Sequence, residues 1–195
     1  MALLENEIRL NNVRVAFPKW EPEKFPDSPD PTRYRSGVFI LPPDHPQLKQ
    51  LEKMGLDAAI GKWGPKKGPA MVAAAKAIGK FFLHNGDTKA GTDGFEGNWF
   101  VSARTPETRD VDFRDGTRAV LTQEQAQKII YGGCYVNAII SIYAYTKGNN
   151  GIGAGLKGVQ FRAKGDAFVG GPPPEDDDYE EIAAPEEGET DSMTE

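Results

Sequence analysis

Cys134-Tyr-Val-Asn-Ala-Ile-Ile-Ser-Ile-Tyr-Ala-Tyr145 is the stretch on which the fold turns. Successive side chains of an extended strand point to opposite faces. Cys134, Val136, Ala138, Ile140, Ile142 and Ala144 therefore share one face, and Tyr135, Asn137, Ile139, Ser141, Tyr143 and Tyr145 share the other. The first face is wholly apolar and belongs in a core. The second carries three phenols where a half-buried strand meets water, so the period that predicts a strand also nominates a surface.

Outward from this strand the chain keeps to short β segments. Glu7 to Phe17 alternates, but its apolar set slips from Ile8 and Leu10 to Val13, Val15 and Phe17 across Asn11-Asn12, as a bulge would require. Pro18 to Pro31 holds prolines at 18, 22, 26, 29 and 31 and is predicted to be a loop. Thr32 to Leu41 reads as a second strand, ended by Pro42-Pro43. Asp44, with Gln47 as capping-box partner, predicts a helix to about Ile60 with Leu48, Leu51 and Met54 as its apolar stripe. Gly64 to Pro69 is a basic turn carrying Lys66 and Lys67, followed by an alanine-rich helix over Ala70 to Ile78. His84 to Gly97 reads as a loop, Asn98 to Arg104 as a strand, and Val111 to Leu121 as a hairpin turning at Asp115-Gly116. Thr122 with Gln125 forms a second capping box, opening a short helix to Ile130. Gly148 to Gly158 is predicted to be a glycine-rich loop before a last strand, Val159 to Lys164. The expected class is mainly β, five or six strands with two or three short helices, and a small barrel is the economical way to close the sheet edges.

Charge divides this chain at Gly171. Eleven of its 29 acidic residues lie in 175–195, a segment with no Lys or Arg that follows Pro172-Pro173-Pro174. The other 18 face all 23 basic residues, so the overall −6 averages a body of net charge +5 with an acidic tail. Two regions are expected: a globular domain over 1–171 and a disordered tail over 172–195, too polar to bury a core of its own. A basic body with an acidic tail suits a protein that grips a polyanion while the tail competes or recruits a partner. The alternative is a solubilising tail on an ordinary domain. Cys134 is the only cysteine, which rules out an internal disulfide and fits a reducing cytoplasm. No basic-plus-apolar leader opens the chain and no apolar run is long enough to span a membrane, so a soluble intracellular protein is expected.

The patterns of catalysis fail one by one. Gly153-x-Gly155-x-x-Gly158 matches a dinucleotide fingerprint in letters, but that motif must open a helix, and Val159-Gln-Phe161 alternates as a strand. Asp110, Asp112 and Asp115 hint at a calcium loop that Arg114 and a missing closing Glu break. His45 reads as a surface residue. His84 with Asp87 and Asp93 would be a sparse metal site, and a solvated loop explains them as well. Cys134 reads as a core thiol. No enzyme, metal or cofactor is expected.

Aromatic and basic residues interleave instead. Arg33 and Arg35 flank Tyr34. Trp99 and Phe100 place large rings on both faces of their strand, with Arg104 on the Phe100 side. Tyr143 and Tyr145 end the central strand, Lys147 and Lys157 bracket the glycine-rich segment, and Phe161, Arg162 and Lys164 follow. Single-stranded nucleic acid is held in this way, with cations along the backbone and bases stacked on rings. Each ring taken singly could equally fill a small barrel's core.

Gly133 to Tyr145, together with Asn149-Asn-Gly-Ile-Gly-Ala-Gly-Leu-Lys-Gly-Val-Gln-Phe161, resembles a bacteriophage single-stranded-DNA-binding protein family. Leu10 to Phe17 and Arg35 to Pro42 are similar to that family's opening strands, so the likeness covers residues 8–170. It implies an OB-fold-like five-stranded barrel with inserted helices and an acidic tail. The implied function is sequence-independent binding and protection of single-stranded DNA in phage replication or recombination, in the cytoplasm of the infected host. The tail would contact phage or host replication proteins, with Tyr179, Ile182 and Met193 as its apolar handles, and self-association along DNA is possible. The rivals are a nuclease or recombination accessory enzyme, and a structural virion protein.

Overall fold

A computed structural model describes residues 3–26 and 28–168. The central strand is β6, Tyr135–Tyr145, and its alternation is as the sequence requires: Val136, Ala138, Ile140 and Ile142 are buried. It lies between β1, Glu7–Lys24, and β7, Gly151–Ala163, antiparallel to both. β1 continues to β2, Arg33–Leu41, and β2 to β4, Trp99–Pro106. β4 then meets β7 in parallel, closing a five-stranded barrel in the order β1-β2-β4-β7-β6. The short strands β3, Leu83–Asn85, and β5, Asp112–Arg114, extend β4 and β7 beyond the barrel. Helices α1, Leu48–Trp63, and α2, Gly68–Ala77, are inserted between β2 and β3, and α3, Gln123–Ile129, precedes β6. This is the OB barrel, mainly β with short helical insertions.

Several local expectations hold. The register of β1 against β6 shifts between Leu10 and Val13, at the Asn11-Asn12 bulge, where Asn12 takes φ +54° and donates from its backbone N–H to Asn137 Oδ1. Thr122 and Gln125 form a complete reciprocal capping box. Cys134 is fully buried, and burial pushes its thiol up to about 11.

Others are corrected. β1 does not stop at Phe17 but runs through Pro18 and Pro22 to Lys24, because register shifts after Ala16 and again after Lys19 take the prolines out of the ladder. Trp20 in this extension is buried, with its indole N–H donating to the Ile130 carbonyl at 2.8 Å. The Gly148–Gly158 segment is not a loop beyond Asn150. Gly151 onward is strand β7, whose glycines let neighbouring rings approach its backbone. Asp44 does not cap α1. Its N-cap is Gln47, whose side chain instead accepts from Asn11 N–H and donates to the Arg9 carbonyl, tying the helix start to the bulge. His84 to Gly97 starts inside β3 and contains a 3-10 turn, Gly86–Lys89. The acidic segment 172–195, and with it the expected tail, lies outside the described residues.

α1 packs on the barrel through a stripe of Leu51, Gly55 and Ala59. Small residues there let the helix sit directly on Phe81 and Phe82. A Cβ at Gly55 would lie 2.5 Å from Phe81 Cζ, whereas one at Gly61 in the same helix meets nothing within 4 Å. Alanine should therefore have opposite effects at the two sites. Gly55→Ala should destabilise by about 1–3 kcal/mol through overpacking. Gly61→Ala should stabilise by roughly 0.5–1 kcal/mol through reduced backbone entropy loss. Urea unfolding of both variants checks this, and equal shifts would refute the packing account.

Candidate nucleic-acid interface

The outer faces of β2, β4, β6 and β7 line one groove. Two contiguous depressions of about 340 and 890 Å³ share Lys80, Arg104, Tyr143 and Tyr145. The first runs over Val38, His84 and Ser102. The second reaches residues 28–31, Tyr34 at the start of β2, and residues 147–149, so that Asp30, Tyr34 and Lys147 line it.

The floor is β7. Gly153 pairs with Tyr143, and Gly151 with Tyr145. Residues paired in this way share a face, so each tyrosine ring lies across a position without a side chain. A Cβ at Gly153 would come within 3.0 Å of the Tyr143 ring, and one at Gly151 within 2.4 Å of the Tyr145 hydroxyl. The two ring centroids are 6.2 Å apart, and Tyr143 is 41% exposed. Burial raises the Tyr145 pKa above its ordinary value.

Arg104 stands on the opposite wall, placed by the parallel pairing of β4 with β7 at Gly155. Its guanidinium lies 5.0 Å from the Tyr34 ring and 5.5 Å from the Phe25 ring, and those two rings are 5.7 Å apart. The Tyr34 hydroxyl donates to Asp30 Oδ2 at 2.8 Å. Asp30 is held at about 2, first by its side-chain bond with Thr32, then by the Thr32 backbone N–H and the Tyr34 hydroxyl, with the Lys147 charge also favouring its ionised form. That carboxylate in turn raises the Tyr34 pKa.

Of the residues singled out in the sequence, Tyr34, Arg104, Tyr143, Tyr145 and Lys147 converge on this groove. The others do not. Arg33 and Arg35 alternate to the opposite face from Tyr34. Arg33 donates to the Pro22 carbonyl and pairs with Glu107, while Arg35 donates to the Gln123 side chain and to the Arg109 carbonyl. Trp99 is half-buried against the main core, so none of the three tryptophans lines the groove. Phe100 is on the groove-side face but only 4% exposed, because His84 stacks on it at 4.8 Å. Lys66 and Lys67 are exposed in the turn between α1 and α2, outside the groove. Lys157 pairs with Glu7 at 3.1 Å. Phe161 packs against the core, and Arg162 and Lys164 are exposed at the far end of β7, with Arg162 about 30 Å along the strand from Gly153. Reasoning from sequence missed Phe25, Lys80 and His84. Phe25 and Lys80 are connector residues next to strands, and no strand period points to them.

Asp110, Asp112 and Asp115 do not form a metal cluster. Asp112 pairs with Arg114, while Asp115 accepts from Thr117 N–H, Thr117 Oγ1 and Ala119 N–H within its own turn. Among the described residues no group of three potential ligands converges.

In OB barrels the second and third strands and the loops after strands one and four form the ligand-binding face, which takes oligonucleotides or oligosaccharides, and here the rings and cations fall on those elements and on the fourth strand, where Tyr143 and Tyr145 lie. Comparison with known proteins narrows the class. The chain belongs to the family of the Enterobacter phage Enc34 ssDNA-binding protein, whose profile matches residues 6–190. It is 34% identical over 186 residues to protein p50 of Acyrthosiphon pisum secondary endosymbiont phage 1, covering 94% of this chain and 97% of p50. The single-stranded DNA-binding protein of bacteriophage Enc34 superposes with a TM-score of 0.66 at 25% identity, over 90% of each chain. Gp2.5, a single-stranded DNA-binding protein of bacteriophage T7, shares the fold at 11% identity and a TM-score of 0.56, covering 91% of this chain and 99% of that one.

His84 carries a testable charge effect. Burial first, and the nearby Lys89 second, hold its pKa below the ordinary 6.5. The unfolded chain therefore takes up a proton before the folded one does. This contribution to stability is intact above about pH 6.5 and is lost as pH falls below it. His84→Phe keeps the stack on Phe100 and removes the titration, so its Tm should drop less than the wild type's between pH 7.5 and 5.5. Equal drops would show that His84 does not carry the effect.

Proposed function

We propose that this chain binds single-stranded DNA without reading base sequence, protecting it during phage replication or recombination in the cytoplasm of the infected bacterium. The observation that carries this reading is the groove itself: Arg104 beside the Phe25 and Tyr34 rings, facing Tyr143 and Tyr145 across a glycine floor. Bases stack on the exposed rings while Arg104, Lys80 and Lys147 take phosphates. Nothing in that arrangement asks for a particular base edge. The Enc34 relative is described in complex with ssDNA, which supports the same reading. The mechanism is reversible binding with no chemical step. A nuclease reading would need free carboxylates, and Asp112 and Asp115 are engaged locally. A structural virion protein would show no affinity for nucleic acid.

Titration of oligo-dT, the matching duplex and RNA at two salt concentrations tests the reading. Oligo-dT should bind more tightly than duplex, with a salt slope of about −0.7 per phosphate contact. Tyr143→Ala or Tyr145→Ala should weaken binding by roughly 5- to 150-fold with the slope kept, since a stacked base is worth about 1–3 kcal/mol. Arg104→Gln or Lys147→Gln should instead flatten the slope. Duplex binding equal to or tighter than oligo-dT would overturn the proposal.

We also propose that residues 1–171 form the binding domain and 172–195 a separate acidic tail that competes with DNA and recruits replication proteins. With eleven acids and no Lys or Arg in 175–195, the tail would compete for the same cationic groove at a high local concentration. Deletion of 175–195 should tighten oligo-dT binding, most at low salt, and leave Tm unchanged. A truncated chain that binds no better and unfolds would mean the tail is structural.

A further inference from the structure

Phe17 sits where strand geometry would not put it. Its φ is +46°, in the left-handed region that side chains avoid, and its ring is 53% exposed. The register shift that follows Ala16 turns it outward. There it joins a small aromatic cluster: the Phe95 centroid is 5.9 Å away, and Phe95 meets Phe100 edge-on at 5.1 Å. Lys89 caps all three, its Nζ lying 5.8 Å from the Phe17 centroid, 5.5 Å from Phe95 and 5.3 Å from Phe100. An exposed ring in a strained conformation beneath an exposed cation has the composition of a base-and-phosphate site.

The patch is continuous with the groove. Phe100 lies under His84, which lines the groove, and Val38 both lines the groove and packs against the Phe95 cluster. From Arg104 to Phe100 is about 13 Å along β4. Phe17 lies two strands farther across the sheet, about 10 Å more at the usual strand spacing.

We infer that Phe17 and Lys89 form a second nucleotide subsite, in which a base stacks on the open Phe17 face and its phosphate pairs with Lys89. This subsite rests on the single-stranded-DNA reading above and extends it. The strand runs from the Tyr143–Tyr145 pair past Arg104 and Ser102, over His84, to Phe17. From the tyrosine pair across β7 to Arg104 is about 10 Å more, so the path is about 33 Å long and, at about 3.4 Å per stacked nucleotide, takes roughly ten nucleotides. Oligomers shorter than this fill the tyrosine end alone, and longer ones gain the second contact.

The test is a length series from dT5 to dT20 with the full chain, Phe17→Gly and Lys89→Gln, with Tm and sedimentation measured in parallel. Glycine accepts the left-handed conformation, so Phe17→Gly removes the ring without straining the backbone. Wild-type affinity should step up beyond about ten nucleotides. Phe17→Gly should lose that step, binding dT20 roughly 5- to 150-fold more weakly with dT5 and Tm unchanged. Lys89→Gln should reduce the salt slope by about 0.7 for dT20 and leave it unchanged for dT5. If wild type binds oligo-dT and both variants match it at every length, the subsite is overturned while the groove stands. Equal weakening of dT5 and dT20 also overturns it, as does a change in sedimentation with binding intact, which would assign Phe17 to contact between copies. Wild type that binds no oligomer at any length would overturn the underlying reading instead.

Discussion

Closure of the barrel rests on a parallel contact of two residue pairs, Ala103 with Ala154 and Arg104 with Gly155. Without it the five strands would form an open sheet with β4 and β7 as edges. The contact is possible because β7 is built of small residues where it meets β4. The same absence of side chains produces the groove floor, so closure and surface have one cause. A bulky residue at Gly153 or Gly155 would displace Tyr143 or Ser141 from β6 while crowding the seam beside Arg104.

From that seam the chemistry follows by position. β4 delivers Arg104 to one wall and β6 delivers two tyrosines to the other. Asp30 is the exception, an acid at the mouth of a cationic groove. Its carboxylate accepts from the Tyr34 hydroxyl and the Thr32 N–H, which fixes the Tyr34 ring beside Arg104. In the proposed reading it would also repel phosphate from the 25–32 loop and leave Lys147, Lys80 and Arg104 as the backbone contacts.

The parts of the fold that depend on period were legible. The β6 alternation separates core from groove, and the slip at Asn11-Asn12 marks the bulge. Tyr143 and Tyr145 stand out because they lie on the wet side of an alternating strand, whereas Tyr34 and Arg104 stand out through the basic and aromatic residues around them. Composition misled where it overrode period. Prolines hid the extension of β1 through Trp20, and glycines hid the first half of β7. Arg33, Arg35 and Trp99 were grouped with their neighbours by proximity in sequence, although alternation alone sends them to the other face. Lys80 and Lys89 had no signal, since helix-to-strand connectors and 3-10 turns carry no period. The Asp44–Gln47 pair shows a further limit: a capping pattern describes local chemistry, and here a tertiary partner on β1 claims the glutamine.

The order of the strands also sets when the molecule can form. β1 finds its partner in β6, and the side-chain bond that joins Asn12 to Asn137 spans 125 residues of chain. Neither can be completed while the chain is still emerging, and the seam must wait for β7 as well. During synthesis β1 therefore has β2 as its strand partner until β6 is complete. Such long-range closure slows folding and leaves strand edges unpaired for longer than a helical protein of this size would. Until β7 is made, the seam edge of β4 stays open to pairing with other strands.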